Sequence, residues 1–314
     1  MKYKTWIVVL SLILSSALLI GGARMLSVHD HGGEQKRVAT SFYPIYIAAL
    51  NLTEGIDEIE VINLTEGQTD CLHDFTLRPQ DMVTLEGCAA LLINGGGMET
   101  FLTAVDGAYP ALPIIDSSAG MENHAAPAAE MHDHDHDHDH DHGENTHYWL
   151  SPAHYEMQIE ALCHGLTEVF PQYQKQIEAN AESYIADVHR LQEAYRTQMA
   201  PYAGQHIVIL NEAFAYLAMD CGLEVAGSVH MEQDTALSAA LLGQITDSIR
   251  AHDVSVVLAE PQYSGALAQT VERETGALVC TLDAATGGAN HPDAYLNCMY
   301  ENLDLLVRAL KGKG

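Results

Sequence analysis

Basic residues are scarce: 14 Lys+Arg stand against 43 Asp+Glu in a chain of 314, a formal charge of −29 with histidine neutral. Such a surface repels phosphate backbones and anionic lipid, which argues against nucleic acid as a partner. No two cysteines are spaced as CxxC, so a thiolate zinc site or a dithiol redox centre has no support. HExxH and nucleophile-elbow patterns are also missing, and with them the signatures of a zinc peptidase or a serine hydrolase. Apolar material is ample, at 47% hydrophobic against 18% charged. That suffices for one large or two medium cores and excludes wholesale disorder. Histidine is abundant, with 18 copies, and as the commonest metal ligand it turns attention to a metal.

Two lysines precede an almost purely apolar run from Trp6 to Ile20, followed by Gly21, Gly22 and Ala23. This pattern predicts a secretory signal over residues 1–23, cleaved after Ala23, or an N-terminal anchor left uncleaved. Either way Lys2 and Lys4 stay inside and the body is extracytoplasmic, in a periplasm or at a cell surface. No cysteine follows the run, so a lipid has no attachment point. Six cysteines lie further on, Cys71, Cys88, Cys163, Cys221, Cys280 and Cys298. Export permits disulfides, but free thiols and one or two bridges both remain open, and spacing selects no pairing.

Short β-branched runs alternate with amphipathic stretches, the signature of βα units and a mostly parallel sheet. Strands are predicted at 37–41, 60–64, 90–94 and 113–116, then at 206–210, 223–229, 254–259 and 277–282. Between the two sets, residues 171–199 carry Ile177, Tyr184, Val188 and Leu191 at helical spacing with no glycine or internal proline, which predicts one long helix. The expected fold is α/β: two similar lobes, each a four-stranded mostly parallel sheet flanked by helices, joined by one long rigid helix. The lobes span 36–170 and 204–314, the linker 171–200, and a disordered His-Asp loop 122–145 interrupts the first lobe.

That loop holds His132, His134, His136, His138, His140 and His142 alternating with five aspartates. Imidazoles beside carboxylates attract zinc-like ions, but without preorganisation they make a weak accessory site of variable stoichiometry. A tight site needs ligands at the ends of rigid elements. His73 stands in Cys-Leu-His-Asp-Phe before a helix start at Arg78-Pro79-Gln80-Asp81, and His147 in Thr-His-Tyr-Trp-Leu-Ser-Pro before another at Ser151-Pro152.

With Ser41-Phe42-Tyr43-Pro44, His73-Asp74-Phe75, His147-Tyr148-Trp149-Leu150-Ser151-Pro152, Asn211-Glu212-Ala213-Phe214-Ala215-Tyr216, Glu260-Pro261-Gln262 and Leu282-Asp283 in order, the chain resembles the zinc/manganese solute-binding proteins of ABC transporters, the ZnuA-type cluster A-I family. The resemblance implies a metal in the cleft between the lobes, with His73 and His147 as first-lobe ligands and Asp283 reaching in from the second. The sequence departs at Asn211, where zinc members have His and manganese members Glu. A neutral amide oxygen is a poor zinc ligand. Glu212 is the adjacent substitute, although its side chain is expected to point elsewhere; otherwise Asn211 lines the site while water, Asp283 or a loop histidine completes it. Glu260 is expected to support the second lobe or a ligand, and His230, His252 and His291 have no counterpart.

The expected function is therefore extracytoplasmic zinc capture by a monomer and delivery to a membrane ABC permease, without catalysis. Manganese is the alternative ion, since Asn211, Glu212 and Asp283 offer oxygen. From other classes, a secreted zinc hydrolase would use His73, His147 and a carboxylate around an activated water. A surface zinc buffer or adhesin would act without a permease.

Overall fold

Eight strands form two separate four-stranded sheets, all parallel, in a computed structural model that describes residues 35–67, 75–121, 145–229, 239–261 and 265–312. The predicted signal or anchor segment, His73 and the His132–His142 tract lie outside the described residues. In the first sheet β1 (Lys36–Thr40), β2 (Ile59–Asn63), β3 (Cys88–Ile93) and β4 (Ile114–Asp116) lie in the order β2-β1-β3-β4. In the second, β5 (His206–Ile209), β6 (Glu224–Ser228), β7 (Val256–Ala259) and β8 (Leu278–Thr281) repeat it as β6-β5-β7-β8. Each predicted strand appears within two residues of its expected position. The helices are α1 (Tyr43–Leu52), α2 (Pro79–Glu86), α3 (Leu102–Ala108), α4 (Pro152–Val169), α5 (Gln174–Met199), α6 (Ala215–Asp220), α7 (Ala239–Ala251), α8 (Ala266–Thr275) and α9 (Ala294–Lys311).

Local chemistry sets the helix starts. Ser151 caps α4 by accepting from the His154 N–H, with Pro152 in the first turn. Asp81 reaches back to the Arg78 N–H at 2.8 Å and takes two bonds from its guanidinium at the start of α2. The linker helix α5 runs 26 residues, about 39 Å at ~1.5 Å per residue. It is shorter than predicted because Pro171–Tyr173 forms a separate 3-10 turn ahead of it.

Helix α5 buries Ile177, Ala181, Tyr184, Val188, Leu191, Tyr195 and Met199, a stripe at three- and four-residue steps. The stripe enters a core that runs without interruption from Val38 in the first sheet to Leu310 in the last helix. Alternation in the second sheet divides its side chains between two layers. Ile207, Ile209, Val256 and Leu258 face the shared core, whereas Val208, Leu210, Val257 and Ala259 pack under α7 and α8. At the junction of the lobes the rings of Tyr155 and Tyr295 stack with centroids 3.8 Å apart, and Tyr184 meets Tyr155 edge-on. Each hydroxyl of the buried pair finds a carbonyl, Tyr155 on Pro44 and Tyr295 on Trp149.

The five described cysteines, Cys88, Cys163, Cys221, Cys280 and Cys298, are free thiols. Burial raises the pKa of every one. Among the described residues no helix is long and apolar enough to cross a membrane.

Because Leu191 is fully buried in the core that both lobes share, Leu191→Ala is expected to cost about 2–5 kcal/mol in urea unfolding. Arg190→Ala, one residue away on the exposed side, should stay within about 0.5 kcal/mol of wild type.

Candidate metal centre

In open parallel sheets ligands bind beyond the carboxyl ends of the strands, where successive crossovers leave in opposite directions. Here those points lie between β1 and β3 and between β5 and β7. At the first, Ser41 follows β1 and Asn94 follows β3, and the Glu99 carboxylate joins them. Glu99 Oε1 accepts from the Ser41 hydroxyl and the Asn94 N–H, both at 2.7 Å, and Oε2 accepts from the Gly95 N–H at 3.0 Å. Gly95, Gly96 and Gly97 all have positive φ, and this left-handed run turns the chain so that Glu99 returns beneath the strand ends. The network continues outward: Gln158 bonds Asn94 and Ser117, and the Asn94 amide donates to the Thr146 carbonyl.

Thr146 precedes His147, which is buried. Asn145 fixes this imidazole. Its Nδ2 donates to the Glu212 carbonyl at 2.7 Å, so its Oδ1 is the atom facing His147, 3.1 Å from the backbone N and 2.9 Å from Nδ1. An amide oxygen only accepts, so His147 Nδ1 carries the proton and the lone pair of the neutral ring sits on Nε2. The Tyr216 hydroxyl donates to the Asn145 carbonyl at 2.8 Å and completes the clamp. Asn145, expected in the disordered segment 122–145, is thus a structured residue linking the two lobes. Its signal was an Asx-type spacing two residues ahead of a histidine, hidden by the tract before it.

At the second switch point Asn211 follows β5 and Glu260 follows β7, in register across the ladder that pairs Val208 with Val257 and Ile209 with Leu258. The Asn211 Oδ1 accepts from the Ala213 N–H at 2.9 Å and caps the 3-10 turn Glu212–Phe214, while Nδ2 donates to Glu260 Oε1 at 2.5 Å. Asp283 follows β8 one residue after Leu282; its Oδ1 accepts from the Ala285 N–H at 2.7 Å, and Asn302 brackets its backbone. Next to it, the Ala284 carbonyl accepts the indole N–H of Trp149 at 2.8 Å, and the Trp149 ring lies 5.2 Å from that of His147. The structure therefore places His147, Asn211, Glu212 and Asp283 on loops that hydrogen bonds tie between the lobes, through Asn145 to the Glu212 carbonyl and Trp149 to the Ala284 carbonyl. Among the described residues no group of three or more His, Cys, Asp and Glu is close enough to hold a metal. His252 and His291 lie elsewhere, against His206 and Asp293.

Residues 38–309 match the family described as ZnuA, zinc-uptake complex component A, periplasmic. The chain belongs to this family. The high-affinity zinc uptake system protein ZnuA of Bacillus subtilis (strain 168) is 27% identical over 290 residues, which cover 90% of this chain and 89% of the relative. The protein of the same name from Yersinia pestis is also 27% identical, over 95% of this chain and 96% of its own length. Among solved structures, the SBP FpvC of Pseudomonas aeruginosa with Ni2+ superposes with a TM-score of 0.75 at 22% identity, over 89% of this chain and 98% of its own. That likeness confirms the two-lobed fold.

Burial raises Glu99 to about 7, against the lowering effect of its Ser41, Asn94 and Gly95 donors. The folded state thus keeps a proton that the unfolded chain releases near pH 4.3, and stability falls as pH rises through that window. Unfolding in urea from about pH 5 to pH 8 should show wild type losing on the order of 3 kcal/mol relative to Glu99→Gln. A difference that stays flat across the series would contradict it.

Proposed function

We propose that this protein captures zinc in the cleft between its lobes, outside the cytoplasm, and delivers it to an ABC permease as a monomer. The observation that carries the reading is His147, presented by Asn145 with its lone pair on Nε2 where loops from both lobes are cross-bonded. A histidine whose other nitrogen is bonded to a fixed acceptor is the usual form of a metal ligand. His73 is proposed as the second imidazole and Asp283 as a carboxylate from the second lobe, with the 211–212 turn closing the site. The likeness to relatives named for zinc uptake favours zinc. Manganese is the second reading, favoured by the oxygen-rich second lobe and by FpvC, which has also been solved with Mn2+. Binding releases protons from imidazole, so affinity falls in acid.

Competition titration against a zinc chelator tests the site. His147→Ala should abolish tight binding, and Asn145→Ala, which leaves the ring without its orienting acceptor, should weaken it by about 10–100-fold. Undiminished affinity in His147→Ala would sink the assignment.

The His132–His142 tract is proposed as an accessory, low-affinity collector. Deleting residues 122–144, which spares Asn145, should lower the number of zinc ions bound while leaving the thermal melt and the tight site unchanged. Loss of the tight site in this deletion would show the tract to be part of it.

A further inference from the structure

The geometry points to Glu260 as the carboxylate that binds the captured ion from the second lobe, with Asn211 as the residue that positions it. This inference rests on the capture reading above and gives Glu260 the second-lobe place which that reading gives Asp283.

Asn211 stands at the β5 strand end, where a ligand would be expected, yet its side chain is committed twice. The amide nitrogen has no lone pair to offer a metal, and it is spent on Glu260 Oε1 at 2.5 Å. The oxygen caps the turn that follows through the Ala213 N–H. What Asn211 does with these bonds is hold a carboxylate, one strand over and in ladder register, at the switch point between β5 and β7. Glu260 is buried there, 8% exposed. The turn that Asn211 caps also presents the Glu212 carbonyl to Asn145, the residue that sets the His147 tautomer. One short turn thus braces a carboxylate on one side and an imidazole on the other. Imidazole nitrogen with carboxylate oxygen is a donor set that zinc accepts, and the carboxylate supplies negative charge that a neutral amide does not.

The test uses the full chain with zinc held at low free concentration by a competing chelator, so that the tract does not contribute, together with Co2+ absorption as a report on ligand type. Glu260→Gln should lose more than about 100-fold in zinc affinity and shift the Co2+ bands; Asn211→Ala should lose only about 10-fold and leave the bands in place. Thermal melts of the apo proteins establish folding. If Glu260→Gln does not fold, Glu260→Asp, which keeps the charge on a shorter arm, should lose affinity and shift the bands. Wild-type affinity in Glu260→Gln, with binding abolished in His147→Ala, overturns this inference and leaves capture standing. Wild-type affinity in both variants overturns capture and this inference with it. An Asn211→Ala variant that loses as much as Glu260→Gln and shifts the bands assigns the ligand to the amide and overturns the inference.

Discussion

The stacked pair Tyr155 and Tyr295, 3.8 Å between ring centroids, sits where the two sheets, the linker helix and the last helix share one core. Everything at the candidate metal centre depends on this packing, because it sets the distance between the strand ends of the two sheets. Around it lie polar ties that cross between the lobes: Trp149 to the Ala284 carbonyl, Tyr43 to the Ala289 carbonyl, and Ser151 to the Asp220 carboxylate. Closely packed interiors do not deform continuously. A wide hinge opening would break several such bonds and expose buried aromatic surface, so small rocking about α5 is the motion this architecture allows.

The two lobes are variations on one plan, and their switch points hold the same chemical group differently. Between β1 and β3 the Glu99 carboxylate receives a hydroxyl and two backbone N–H groups and serves as a structural plug. Between β5 and β7 the Glu260 carboxylate receives a side-chain amide. Backbone donors lock a carboxylate into the fold, whereas a side-chain donor can be exchanged in a single substitution without disturbing a strand. At the second switch point that donor is Asn211, so a substitution there alters what holds Glu260 without touching a strand.

The strands and the linker helix could be read from residue order because each rests on short-range periodicity: Ile207 and Ile209 against Val208 and Leu210, or Ile177, Tyr184, Val188 and Leu191 along one face. His147 stands out at a helix start, whereas Asn211 and Asp283 are candidates through the family resemblance of the motifs around them. What holds them could not be read from residue order. Asn211 meets Glu260 across 49 residues, and Trp149 meets Ala284 across 135; no local pattern encodes such pairings. Asn145 was concealed for another reason: a low-complexity tract hides the one residue at its border that has a defined conformation.

The thiols in the interior bear on how such a protein handles a soft-ligand-seeking ion. Zinc binds thiolate readily, and an exported chain passes through surroundings that oxidise exposed thiolate. Each described cysteine is shifted by burial toward its protonated form. At neutral pH they therefore offer little thiolate to either reagent. The described fold consequently calls for no oxidase or disulfide isomerase at these five cysteines, and its strongest potential zinc traps stay silent.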